Sequence, residues 1–437
     1  MVDRAAGARA LLVLHRVAGA AVRPIQECLA EILGVERSLG SIEAVLQEAA
    51  RRALALAPAP PRPPQALADE VFAAGRPVLE VVDHASGLIA LLAPAAGRDE
   101  TTWGCAWLHL SERGVRLASL GADGAAGLAA GARAAGLPAP RLDHWHTLRD
   151  LGRIARALEA AAYRRLASAD RAERAAAAER YRAEHGRRPR RGRPLGAPSD
   201  PTGVAAAVAA ADDAVERADG VAALMELVRD LLRPVEARTG QLRRAAPLAA
   251  ERGAAAALLR ELGGRAVEAA TLLEQRAAGL VAYLEDLERA LAGPRAALGA
   301  AAFAFPAWAW QHRHALGLRD AADAWPQAPE PAGRVWAALD DAVRGTGMAE
   351  NLNSRLSAQR AVRRGLPPAA LALFAVYRNH HVFRRGKRAG HSPLELAGLP
   401  SPHWLDALGF GPAAPPPPAA ALEFRTAPPH TVNTLVA

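Results

Sequence analysis

Residues Ala68–Pro94 read ADEVFAAGRPVLEVVDHASGLIALLAP. Its apolar, β-branched runs at Val71–Phe72, Arg76–Asp83 and Gly87–Pro94 are separated by glycine and turn residues, which predicts three consecutive strands. ETTWGCAWLHLSERG at 100–114 follows with helical character, then VRLASLGADG at 115–124 as a strand and AAGLAAGARAAGL at 125–137 as a helix. Three strands, a helix, a strand and a helix describe an α/β layer whose fourth strand returns beside the first through a crossover.

Upstream, RPIQECLAEILG from Arg23 places Ile25, Leu29, Ile32 and Leu33 at helical spacing, and Gly34 ends the run. SIEAVLQEAARRALAL then resumes as a helix that Ser38 or Ser41 can cap. Residues 1–56 are thus expected to form a helix-turn-helix, with Arg37, Ser38, Ser41 and Arg51 offered to DNA, or else an ordinary αα-hairpin. The stretch APAPPRPP marks a linker at 57–66.

Residues 67–150 form the first part of the α/β core in this reading. Residues 151–344 are rich in alanine, leucine, arginine and glutamate at helical spacing, which predicts a large all-helical insertion with a basic loop at 186–203. Phe303, Phe305, Trp308, Trp310, Trp325 and Trp336 fall late in it, and core packing is the preferred reading of that concentration. Residues 345–405 return as the last part of the core, and 406–437 are expected to be a proline-rich disordered tail.

The chain of 437 residues carries a net charge of +9, which favours a polyanionic partner. Lys387 is the sole lysine, so part of this basicity tracks a GC-rich coding composition. Cys28 and Cys105 read as buried in helices and lack the spacing of a metal knuckle or a disulfide framework. The most apolar stretch, Ala296–Trp310, is broken by Pro306 and is too short for a membrane span, and the N-terminus does not read as a signal peptide. A cytoplasmic protein, nucleoid-associated when bound to DNA, is expected.

Acids at strand ends are the first candidates for chemistry. Asp69 lies on the opening strand and Asp123 follows the fourth, and these strands neighbour each other if the crossover is right-handed. A third acid from a later helix, Glu350, would complete a site for two Mg²⁺ ions, with Mn²⁺ a possible substitute, since carboxylate oxygens suit hard cations. Composition does not single out Glu350.

A resemblance does. AENLNSRLSAQRAVRRGL at 349–366 and LFAVYRNHHVFRRGKRAGHSPLELAGL at 373–399 resemble the end of the catalytic domain of DDE-type bacterial insertion-sequence transposases, where a catalytic Glu opens a helix reading E-N-x-N-S-x-L. ADEVFAAGRPVLEVVD resembles the family's opening strands, with the first acid in a D-E pair. SLGADGAAGLAAGARAAGLPAPRLDHWHTLRDLG resembles its second-acid region, with a following D-x-x-H. The spacing fits, since Asp69 to Asp123 is 54 residues and Asp123 to Glu350 is 227, a gap that a helical insertion would fill.

The resemblance implies an RNase H-like α/β core, a mixed sheet flanked by helices, and Asp69, Asp123 and Glu350 as catalytic metal ligands whose carboxylates cluster. Asp143, His146 and Asn353 would support them. The implied activity is metal-dependent cleavage and strand transfer on double-stranded DNA, at the element's ends and at a target, by a homo-oligomer. The alternatives are an inactive, transposase-derived DNA-binding protein and an RNase H-like nuclease that does not join strands.

Asp83 competes for the first acid but is read as structural. Many members carry Lys or Arg seven residues after the Glu, and here that position is Ser357, with Arg355 and Arg360 nearby. Arg385, Lys387 and Arg388 in FRRGKRAG form a candidate phosphate-contacting patch. RPRRGRP at 188–194, with Arg191 and Arg193 around its glycine, resembles an AT-hook core that enters a narrow minor groove, or is a solvated basic loop.

Overall fold

The computed structural model describes residues 4–56, 58–62, 64–185, 201–327, 329–362 and 366–411. The N-terminal helices are α1 (Arg4–Arg16), α2 (Val22–Leu33) and α3 (Leu39–Ala55). Gly34 takes the left-handed conformation that ends α2, and the Ser38 hydroxyl accepts the Ser41 N–H to cap α3.

Strands β1 (Gln65–Ala73), β2 (Arg76–Asp83) and β3 (Ile89–Pro94) form an antiparallel meander. Helix α4 (Glu100–Glu112) crosses over to β4 (Ser119–Ala122), which pairs in parallel with β1, and α5 (Ala126–Ala134) leads to β5 (Arg141–Leu142). Among the described residues the sheet order is β3-β2-β1-β4-β5.

Period-2 alternation divides β1 between two layers. Ala66 and Ala68 face α4 and α5, where their small side chains leave room for Trp103 stacked on Trp107. Val71 faces the opposite layer, built from α14 (Gly347–Val362) and α15 (Pro368–His380). Both faces are covered, which is why β2 is apolar almost throughout.

Between β5 and α14 lies the helical insertion: α6 (His144–Glu184), α7 (Pro201–Leu231), α8 (Ala245–Glu261), α9 (Ala266–Gln275), α10 (Ala277–Leu298), α11 (Ala300–Leu316), α12 (Ala321–Ala324) and α13 (Glu330–Asp341). It holds two cores. One joins Leu151, Ile154 and Leu158 of α6 to Val221 and Met225 of α7 and to Leu259 and Leu273. The other gathers Tyr283, Leu284, Phe303, Trp310 and Trp336, so the late aromatic concentration is core for Phe303, Trp310 and Trp336, whereas Phe305 is exposed.

Two boundaries and the burial of the cysteines differ from the sequence reading. The proline stretch does not set residues 1–56 apart, because Leu11, Leu12, Ile25 and Ile42 bury their side chains in one cluster with Leu373 and Val376 of α15 and with Trp404, Leu405 and Leu408. The chain stays ordered past 405, since after α16 (Pro393–Leu396) comes α17 (Trp404–Ala407), and the Arg52 guanidinium lies over the Phe410 ring. Cys28 is half-buried and Cys105 exposed, because each lies off its helix's apolar face. Among the described residues no helix is long and apolar enough to cross a membrane.

Helices α4 and α5 approach closely through glycine. A Cβ on Gly131 would stand 2.6 Å from Trp103 Cβ and 2.7 Å from the Gly104 nitrogen. Gly131→Ala is therefore expected to destabilise the protein by about 1–3 kcal/mol through overpacking, read as a lower urea midpoint with an unchanged slope. Gly253→Ala, inside α8 where a Cβ meets nothing within 4 Å, serves as the comparison and should instead stabilise by up to about 1 kcal/mol through helix propensity.

Candidate functional site

Parallel pairing of β1 with β4 ends at Ala68 opposite Ala122. The next residue on each strand is an aspartate, so the register carries Asp69 and Asp123 to the same level of the sheet. Burial is the main force pushing the Asp69 carboxyl up to about 6; the neighbouring Asp123 charge adds to it, and the hydrogen bond from the Glu70 N–H opposes it. Asp123 Oδ1 accepts the Ala125 N–H at 2.9 Å, which fixes the turn after β4.

The third element arrives from far along the chain. Asn353 of α14 donates from Nδ2 to Asp69 Oδ2 at 2.9 Å. Glu350, one turn earlier on α14, is 45% exposed, and its Oε1 lies 3.8 Å from His146 Nε2. His146 also feels the charge of Asp123. Asp69, Asp123, His146, Glu350 and Asn353 thus share one neighbourhood. Asp69 and Asp123 interact as a pair, and His146 links Asp123 to Glu350; among the described residues no three His, Cys, Asp or Glu side chains form a ready-made cage for one ion.

Asp143 makes this convergence possible. Its Oδ1 accepts the His146 N–H at 3.1 Å and caps α6, while its Oδ2 accepts the Thr346 N–H and hydroxyl, each at 2.6 Å. Burial alone would raise the Asp143 carboxyl, but the hydrogen bonds from His146 and Thr346 outweigh it and hold it well below the usual carboxylate range. The His144 N–H donates to the Arg344 carbonyl at 3.0 Å. The entry and exit of the helical insertion are therefore stitched together, and α14 packs on β1 and β2.

The run Asp143–His146 divides its work residue by residue. Asp143 is the cap and the stitch. The His144 ring binds the Leu280 carbonyl of α10 at 2.8 Å, and burial holds it neutral, near 4. Trp145 points to solvent. His146 Nδ1 lies 3.3 Å from Asp143 Oδ2 with poor hydrogen-bond alignment, and the Asp143 carboxylate raises its pKa above the ordinary histidine value.

The competing acid Asp83, and Glu70 next to Asp69, have other partners. Asp83 is buried and accepts the Gln65 N–H, the Ser86 N–H and the Ser86 hydroxyl, so it closes the turn after β2. Glu70 points to the opposite face of the sheet, where it accepts the Trp103 indole N–H at 2.6 Å.

One residue of the site escaped the sequence reading. Glu80 pairs across the sheet with Asp69, is fully buried, and leaves both carboxyl oxygens without a hydrogen bond; Asn353 Oδ1 nearby also lacks one. Burial pushes Glu80 well above the usual carboxylate range, the Asp69 charge adds to the effect, and the Asn353 amide opposes it. Burial works in favour of the neutral acid, whose hydroxyl would supply a donor for Asn353 Oδ1. An acid in the middle of the apolar run VLEVV at 78–82 was the available signal.

The residues expected to meet DNA are scattered. Arg37 and Ser41 line a cavity of about 550 Å³ between α1 and α3. Ser38 is occupied as a cap, Arg51 pairs with Glu48, Arg355 binds Asn351, and Lys387 pairs with Asp341 at 2.9 Å. Arg388 donates to the His84 and Ala85 carbonyls, a structural tie to the β2–β3 turn. Arg385 is exposed on the same loop. Arg191 and Arg193 lie outside the described residues.

Two outcomes are expected. Asp143→Ala should lose about 2–4 kcal/mol in urea unfolding, because it removes a helix cap and leaves buried donors without their charged acceptor. A carboxyl whose pKa is raised by folding contributes stability below its unfolded value of about 4.3 and loses that contribution as pH rises through its folded value. Glu80→Gln removes this penalty. The variant should therefore melt above the parent at pH 8, with the gap closing towards pH 4; an equal gap at both pH values would contradict a raised Glu80 pKa.

Set against models of known families, against curated proteins and against solved structures, the chain matches none of them.

Proposed function

We propose that this chain is a DDE-type DNA transposase with an RNase H-like core, cutting and joining DNA at the ends of a mobile element. The observation that carries the reading is the meeting of Asp69 and Asp123, level on neighbouring parallel strands, with the Glu350 helix, which is tied to Asp69 through Asn353. An antiparallel meander extended by parallel strands through a helical crossover is compatible with the core that the sequence resemblance implies.

The donor set fits Mg²⁺. Its atoms are hard carboxylate oxygens, and desolvation with mutual repulsion leaves the Asp69 carboxyl short of positive charge, a deficit that a divalent cation corrects. Asp69, Asp123 and Glu350 would hold two such ions, whose chemistry when bound is to activate the attacking oxygen and stabilise the leaving oxygen of a phosphodiester.

The chain's own groups do the rest. Asn353 fixes the orientation of the Asp69 carboxylate, with Glu80 behind it. His146, protonated more readily because of Asp143, offers Nε2–H at the Glu350 edge of the site, where a phosphate oxygen can accept it. Catalysis of this kind is chiefly positioning and charge neutralisation. Double-stranded DNA is the partner, and joining two ends calls for at least two protomers.

The test is a strand-transfer assay with Mg²⁺ on plasmid DNA carrying the genomic sequences that flank the reading frame. The parent should cleave and join. Asp69→Asn, Asp123→Asn and Glu350→Gln should each lose about 10³-fold or more in rate while keeping the parent's circular dichroism. Binding without cleavage would favour a DNA-binding protein, cleavage without joining a nuclease, and full activity of any of the three variants would overturn the site.

A further inference from the structure

Helix α6 runs for 41 residues, about 60 Å at ~1.5 Å per residue, starting at the site. Its apolar side, with Leu151, Ile154, Leu158 and Ala162, is buried against the rest of the insertion. The opposite side carries Trp145, Tyr163 and Tyr181, which are 18 residues apart, or about five turns each at ~3.6 residues per turn. They therefore lie on one line. All three are exposed, at 56%, 65% and 54%.

Arginines border that line. The Arg149 guanidinium sits over the Trp145 ring at 5.0 Å beside the site, and its Nε lies 3.7 Å from Asp150 Oδ1, an acid that Arg153 and Arg276 share, so its charge is only partly offset. Arg156 and Arg164 are exposed and make no ion pair among the described residues, unlike Arg174, which Asp170 neutralises. The whole helix has nine arginines against six acids. A solvated helix face needs neither the surplus of cations nor three exposed rings in register.

We propose that this outward stripe of α6 is a track for duplex DNA, binding the phosphates that flank the reacting phosphodiester and leading them away from the site. Guanidinium groups supply charge-assisted contacts to phosphate oxygens, and the two tyrosine hydroxyls and the indole N–H are further donors to the same backbone. Such contacts carry no base specificity, so the track serves flanking or target DNA of any sequence. The inference rests on the DNA-processing reading above and assigns part of its substrate to a surface outside the acidic centre.

The experiment measures binding of a fluorescein-labelled 40-base-pair duplex of arbitrary sequence by anisotropy across a range of salt concentrations, without divalent ions. Each phosphate contact contributes about 0.9 to the slope of log affinity against log salt. The triple variant Arg149→Gln, Arg156→Gln, Arg164→Gln should lose between about 2 and 3 from that slope. Arg334→Gln, whose guanidinium pairs with Glu330 on α13, should leave it unchanged. Glutamine keeps helix propensity, and circular dichroism checks the fold.

A slope unchanged in the triple variant overturns the proposal. So does an unchanged slope accompanied by loss of self-association in sedimentation, which would make the stripe a contact between copies of the chain. If the slope falls but the parent never cleaves DNA, the track stands and the transposase reading fails. If the parent cleaves and joins while the slope is unmoved, the reverse holds.

Discussion

Two hydrogen bonds from Thr346 to one oxygen of Asp143 decide where the last part of the core can stand. They close a loop of 203 residues between partners. Loop-closure entropy grows slowly with length, by about 0.6 kcal/mol per doubling, so a long insertion is tolerable provided its ends are held. Asp143 holds them. It is buried, ionised and fully engaged, and breaking such a group's partnerships is far more disruptive than losing a surface ion pair. From this junction α14 begins in the one place from which Asn353 reaches Asp69.

What the stitch assembles is electrostatically uneven. The chain as a whole is basic, yet Asp69, Glu70 and Glu80 all have raised carboxyl pKa values, with burial the first cause in each case. Arg98 lies 3.7 Å from Glu70 on the other face, and His146, whose pKa the Asp143 carboxylate raises, lies beside Asp123 and Glu350. A fold optimised only for stability would not keep acids so poorly compensated, and strained charge of this kind collects where binding or chemistry is done. The α6 arginines, on the outside of the same junction, complement this centre with positive charge.

Much of the core was legible because its signals are local. Glycine and turn residues punctuate the apolar runs of the meander, and the crossover rule then puts the fourth strand next to the first, which brings Asp69 and Asp123 together by register alone. Glu350 was reached through resemblance, since no periodicity distinguishes it among so many glutamates. The rest was hidden for physical reasons. Asp143 reads as a helix cap, but its tie to Thr346 spans the whole insertion. Glu80 reads as a polar residue in a strand until both faces of that strand are known to be covered. Arg388 and Lys387 read as free cations until the β2–β3 turn and Asp341 are seen beside them. Side-chain partners separated by tens or hundreds of residues leave no trace in spacing.

The central claim is that Asp69, Asp123 and Glu350 form one cation-binding centre although the insertion lies between the second and the third. Crystals soaked in Mn²⁺ and measured at its absorption edge test this most directly. The account predicts an anomalous peak ligated by the carboxylates of Asp69 and Asp123, with Glu350 turned to the same cluster. Manganese bound elsewhere, with Asp69 still hydrogen-bonded to Asn353 and no density beside Asp123, would contradict it.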